Sequence, residues 1–276
     1  MDPRFLRLPR SLQARSETIR IGDIPALIAR PEHGRATPAV IWMHGRTVYK
    51  ELDPGRYQRW IRSGIAAVAL DLPGHGERYS EEYHSPNKTV DLIEQGAPEI
   101  DSVLEWMRLD GGFDMERVAI GGMSAGGMVT LSRLCSANPF VAACVEGTTG
   151  NLHGLYFPSG GEPGRGWLVE HDEDKVNRVD PMHHLEGFRP LPLLALHNEG
   201  DEMVPISVQR SFLESLRRHY SNRGVDPGLV ELHTFSETGA PQEHAGFGRR
   251  ANDAKNLQLE FLRRAFSLDH ARTDRT

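Results

Sequence analysis

The sequence predicts an α/β protein, a mostly parallel, twisted sheet with helices on both faces. Three observations carry that prediction. A chain of 276 residues, 38% hydrophobic and 25% charged, can bury a large core. Short apolar runs closed by Gly, Asp or Asn recur from about residue 38 onward, as strands buried on both faces read. Helical periods separate these runs, which implies right-handed βαβ units.

The strand series is PAVIWMHG (38–45), AAVALDLPGHG (66–76), RVAIGGMS (117–124), FVAACVEG (140–147), LPLLALHNEG (191–200) and LVELHTFSETG (229–239). Upstream, ETIRIG and IPALIARP flank Gly22-Asp23, which predicts an antiparallel hairpin at the sheet edge. Val90, Ile93, Ala97, Ile100, Val103, Leu104 and Met107 share one helical face, with Pro98 expected to kink it. Ala254, Leu257, Phe261, Leu262 and Ala265 form a second such stripe. With no internal repeat or long linker, one domain over residues 1–268 is expected, followed by a frayed tail at 269–276. Residues 148–190, rich in Gly, Pro and His, break the rhythm. They read as a lid-like, loop-rich excursion over the C-terminal edge of the sheet, where open α/β sheets bind ligands.

Composition excludes several functions. A net charge of −6 with scattered Arg argues against nucleic acid as a partner. No apolar run has the length of a membrane span, and MDPRFLRLPR lacks the apolar core of a signal peptide. Cys135 and Cys144 make no disulfide framework and read as reduced, buried thiols. A cytoplasmic location is the expectation. Thirteen histidines raise the question of metal, but His183-His184 diverge and no H-E-x-x-H accompanies them. No metal is expected. A homo-oligomer stays compatible with the sequence.

The stretch GGMSAGG (121–127) carries the chemistry. In a chain with 28 glycines, Gly-x-Ser-x-Gly alone is a weak signal. Its setting is more specific, because RVAIGG reads as a strand and AGGMVTLSRLCS as a helix. A sharp strand-to-helix turn strains the serine and brings backbone too close for side chains, hence Gly122 and Gly126. Ser124 would then stand above the sheet edge at a helix N-terminus, whose dipole favours developing negative charge. A phosphate loop is the competing reading, but no Lys-Ser/Thr follows.

A serine hydroxyl needs a base and a group to orient that base. Asp201, in HNEGDEMVP (197–205), follows an apolar strand, and His244, in PQEHAGFG (241–248), follows the last one. The order Ser, Asp, His fits one known arrangement. Glu199, Asp180 and Asp172 are rival carboxylates; His233 and His219 are rival imidazoles. Backbone N–H groups of Arg46, in MHGRT (43–47), and of Ala125 are the expected oxyanion donors. His44 reads as a residue that holds the loop. The Arg46 side chain points either to solvent or to an anionic substrate group.

With these motifs in place, the chain resembles the α/β-hydrolase superfamily, and in particular its dienelactone-hydrolase-like and prolyl-oligopeptidase-like esterase branch. The matching stretches are HGRT, DLPGHGER (71–78), FDMERVAIGGMSAGG (113–127), HNEGDEMVP and EHAGFG, in the family's order over about residues 17–265. The resemblance implies the α/β-hydrolase fold, Ser124 as nucleophile, His244 as base, Asp201 as its orienter, and no cofactor. It implies hydrolysis of an ester or a related acyl compound, and small-molecule esters of short to medium acyl chain are expected because the sequence shows no long apolar lid. Dienelactone hydrolases proper use cysteine where Ser124 stands, which favours simple esters. Prolyl oligopeptidases carry a propeller that this sequence lacks. A peptidase or thioesterase using the same residues is the alternative, and a non-catalytic binding module of the same fold is a more distant one.

Overall fold

The computed structural model describes residues 8–31, 35–158 and 169–268. A short helix α1 (Arg10–Gln13) precedes the hairpin of β1 (Ser16–Ile21) and β2 (Ile24–Ala29). Gly22, with φ +58°, makes the turn between them. Then follow β3 (Thr37–Met43), α2 (Pro54–Arg62), β4 (Ala66–Leu70), α3 (Thr89–Asp110), β5 (Phe113–Met123) and α4 (Ala125–Leu134). The second half runs β6 (Ala142–Glu146), α5 (Leu152–Tyr156), α6 (Glu173–Val179), β7 (Leu193–Asn198), α7 (Ile206–Asn222), β8 (Val230–Phe235) and α8 (Ala251–Ala265).

The eight strands form one sheet in the order β1-β2-β4-β3-β5-β6-β7-β8. The hairpin pairs antiparallel and joins β4 antiparallel, while β3 to β8 run parallel. The expected edge hairpin and parallel body are therefore both present. β8 departs from the both-faces-buried reading: only Val230 and Phe235 are buried. It is the outer strand, so one face is left without helical cover.

Side-chain alternation along each strand sorts the core into two layers. Ile41, Met43, Val68, Ile120, Val145 and Ala195 face α3, α4 and α7. Val40, Trp42, Ala69, Ala119, Cys144 and Leu196 face α2 and α8. α3 is continuous through Pro98, and its predicted apolar positions are buried. α2, which the sequence reading did not pick out, buries Arg56, Tyr57, Trp60 and Ile61. Cys144 is buried, Cys135 is partly exposed, and both are free thiols. No helix among the described residues is long and apolar enough to cross a membrane.

Within 148–190 the described residues form α5, α6 and two 3₁₀ turns. α6 is tied to α3 by Lys175 to Asp91 at 2.6 Å and Arg178 to Glu94 at 3.3 Å. The middle of the predicted excursion, 159–168, and the predicted tail, 269–276, lie outside the described residues.

Candidate active site

The site gathers at the C-terminal edge of the parallel strands. Ser124 follows β5 directly, with φ +51° and ψ −119°. Such a backbone costs of order 1–3 kcal/mol and persists only where surroundings enforce it. The glycines of the stretch are part of that enforcement. A Cβ on Gly122 would lie 2.4 Å from the Gly126 carbonyl, and one on Gly126 would lie 2.4 Å from the Met43 carbonyl oxygen. α4 is thereby pressed against the end of β3.

His244 comes from the loop after β8. Its Nε2 lies 2.9 Å from Ser124 Oγ, and its Nδ1 lies 2.8 Å from Asp201 Oδ2. A carboxylate only accepts, so Nδ1 carries the proton and Nε2 is left to accept from the serine hydroxyl. Asp201 is itself fixed: Oδ1 accepts from the backbone N–H groups of Met203 and Val204 at 2.9 and 2.8 Å. The three predicted side chains thus form one continuous chain of hydrogen bonds.

Arg46 lies in the turn after β3, and Ala125 is the first residue of α4. Gly45 brings that turn across from the serine, since a Cβ there would lie 3.4 Å from Ser124 Cβ. The Arg46 guanidinium donates to the His84 carbonyl at 3.3 Å, and burial lowers its pKa. The rivals are engaged elsewhere. Glu199 accepts from the Thr234 hydroxyl, Asp180 from the N–H groups of Met182 and His153, and Asp172 from that of Lys175. His219 bonds the Phe188 carbonyl, and the His233 ring packs on Phe235.

His44 does hold the loop. Its Nδ1–H donates to Gly45 O at 2.6 Å, and Nε2 accepts the Leu72 N–H at 3.1 Å. Beside it, Asp71 accepts from Lys50 N, Lys50 Nζ and Glu77 N. The DLPGHGER stretch therefore buttresses the HGRT turn.

Burial pushes His44 and His75 from the ordinary 6.5 down to about 4. Between pH 6.5 and 4 the unfolded imidazoles bind protons that the folded ones refuse. Stability from this source is therefore full above pH 6.5 and declines as pH falls toward 4. Thermal melts should show Tm dropping across that window, with His44→Gln flattening the slope. A Tm unchanged from pH 6.5 to 4.5 contradicts the assignment.

Sequence reasoning missed the brace of the His244 loop. Asn198, buried at the end of β7, donates through Nδ2 to the carbonyls of Glu243 and Gly246 at 2.5 and 3.1 Å. The Glu243 carboxylate accepts from Thr238 N, Thr238 Oγ1 and Gly239 N at 2.8, 2.6 and 2.7 Å. These bonds, the Thr238 hydroxyl first, hold its pKa below 4.5. They also hold Gln242 and Glu243 at φ +54° and +47°, just ahead of the histidine. An Asn at the end of a strand buried along its whole length was the available signal. Glu243→Gln should lower kcat by roughly 3- to 10-fold, about the worth of one well-made hydrogen bond, with KM little changed. Steady-state kinetics check it, and an unchanged kcat removes Glu243 from the brace.

His197 was likewise missed. It is fully buried, donates to the Val204 carbonyl at 2.8 Å, and is kept neutral by burial, which lowers its pKa. It thereby clamps the turn that carries Asp201.

Comparison with known proteins agrees with this architecture. The model of the prolyl oligopeptidase family matches residues 52–269. "Putative esterase YitV" of Bacillus subtilis (strain 168) is 26% identical over 220 residues, covering 75% of this chain and 86% of that protein. Esterase 2 of Thermogutta terrifontis, solved phosphoramylated by tabun, superposes with TM-score 0.65 at 17% identity, covering 93% of this chain and 95% of that one. The acylaminoacyl peptidase of Pyrococcus horikoshii gives TM-score 0.69 at 21% identity over 91% of this chain, which spans 41% of the peptidase. The fold is that of the α/β-hydrolases.

Proposed function

The chain belongs to the prolyl oligopeptidase family, and from that premise we propose that it is a serine hydrolase cleaving carboxylic esters of short to medium acyl chain. The observation that carries the reading is the Ser124 Oγ to His244 Nε2 contact of 2.9 Å, backed by Asp201 at 2.8 Å. Ser124 attacks the ester carbonyl while His244 Nε2 takes its proton. The tetrahedral oxyanion is received by the N–H groups of Arg46 and Ala125, at the positive end of the α4 dipole. Collapse expels the alcohol, protonated by His244, and water then releases the acid by the same steps. Asp201 keeps the ring in the accepting tautomer and steadies the imidazolium.

Ester over peptide substrate is supported by the extent of the matches. YitV and esterase 2 are matched over 86% and 95% of their lengths, whereas the peptidase is matched over 41%. Peptidase activity through the same residues is the second reading, favoured by the family itself. Labelling by a fluorophosphonate, with hydrolysis rates on p-nitrophenyl esters, aminoacyl amides and acyl-CoA thioesters, tests both. Labelling at Ser124 with ester turnover is expected. Faster amide than ester turnover would favour the peptidase, and an unlabelled folded protein would overturn both.

A further inference from the structure

Beside Ser124 lies a cavity of about 580 Å³ between α2 and the His244 loop. We propose that it receives the leaving alcohol, and that the alcohol it fits is a bulky, uncharged arylalkyl one. The inference rests on the ester-hydrolase reading and adds to it the substrate class.

The side of the scissile bond follows from the chemistry. His244 Nε2 must hand its proton to the departing oxygen, so the alcohol leaves along the wall that bears His244. That wall is this cavity's: His244, Ala245, Gly246 and Phe247 all line it. The remaining lining is largely aromatic or apolar, with Trp42, Tyr49, Leu52, Tyr57 and Met123. An engineered cavity of about 150 Å³ already accepts benzene, so this one has room for a fused bicycle.

The polar part of the lining is already satisfied internally. Arg56, buried at α2, donates to both Glu146 oxygens at 2.6 and 2.8 Å, to Gln258 Oε1 at 2.5 Å, and to Asp53 Oδ2 at 3.0 Å. Its guanidinium lies 4.2 Å from the Trp42 ring centroid. Asp53 also pairs with Lys255 at 2.7 Å. Arg56 and Lys255 thus meet the two carboxylates, and Arg46, the third cation of the lining, donates to the His84 carbonyl, so every charged group there already has a partner and gives little to recompense desolvation of an ionic substituent. A neutral ring gains the full benefit of burial.

The test uses acetates of ethanol, benzyl alcohol and 2-naphthylmethanol, primary alcohols of similar acidity, with 4-carboxybenzyl and 4-(aminomethyl)benzyl acetates as charged counterparts. The benzyl ester should exceed the ethyl ester in kcat/KM by about 10- to 100-fold, the worth of burying one ring. Both charged analogues should fall below benzyl. Leu52→Trp, which fills the cavity, should cut the 2-naphthylmethyl-to-ethyl ratio at least fivefold. Should that variant fail to fold, product inhibition of the unaltered protein reads the same cavity, 2-naphthylmethanol inhibiting at least tenfold better than ethanol. A series flat within twofold, a preference for either charged ester, or equal inhibition overturns the inference. If Ser124 still takes the fluorophosphonate in that case, the hydrolase reading stands without it. If neither labelling nor ester turnover occurs, the hydrolase reading itself has failed.

Discussion

Ser124→Ala should lower kcat on an activated ester by about 10⁴- to 10⁶-fold, the range over which hydrolases lose turnover when the nucleophile goes. The fold should survive, because alanine occupies the same backbone and removes a single oxygen. That backbone also makes a second readout. At φ +51° any residue with a Cβ is strained, and glycine is not. Ser124→Gly should therefore melt above Ser124→Ala while being equally inactive. Fluorophosphonate labelling and a thermal melt on the two variants together decide it. An alanine variant that keeps more than a hundredth of the activity would show that another residue attacks.

Asp201→Asn is expected to have the next largest effect, a fall of about 10⁴-fold in kcat. The side chain keeps its size, but an amide facing His244 Nδ1 donates where the carboxylate accepted. The ring then places its proton on Nε2, and the base can no longer take one from Ser124. Two neighbours sharpen the result. Asp201 Oδ1 already accepts from Met203 and Val204 N–H groups at 2.9 and 2.8 Å. The asparagine oxygen will prefer that pair, which turns the NH₂ toward His244. KM should barely move, because the residue does not touch substrate. Kinetics on a short p-nitrophenyl ester measure it, and a loss under tenfold would exclude Asp201 as the orienter.

How much of this was legible in the sequence depends on whether local chemistry or distant packing decides each feature. The strands were legible because a parallel sheet covered on both faces leaves little room for polar residues, so AAVAL and LLALHN stand out. The half-bare β8 was drawn with the same brush, because VELHTF begins and ends in apolar residues. Ser124, Asp201 and His244 were legible because turns at strand ends carry Gly and Pro marks. α2 escaped because its sequence, PGRYQRWIR, spends two of its buried positions on Arg56 and Tyr57. An arginine reads as surface until a partner is known, and Glu146 stands 90 residues away. The brace of the His244 loop escaped for a related reason. Asn198 and Glu243 do their work through backbone groups 45 and 5 residues off, and backbone acceptors leave no trace in a one-letter code.

The order of the site along the chain has a consequence for synthesis. During translation Ser124 is made 120 residues before His244. The buried guanidinium of Arg56 waits still longer for Gln258, 202 residues on. A nascent chain therefore carries a serine that no imidazole can activate and a cavity whose polar lining is incomplete. On the proposed mechanism, the serine therefore stays silent on the ribosome until the His244 loop, 120 residues on, has emerged and folded against it.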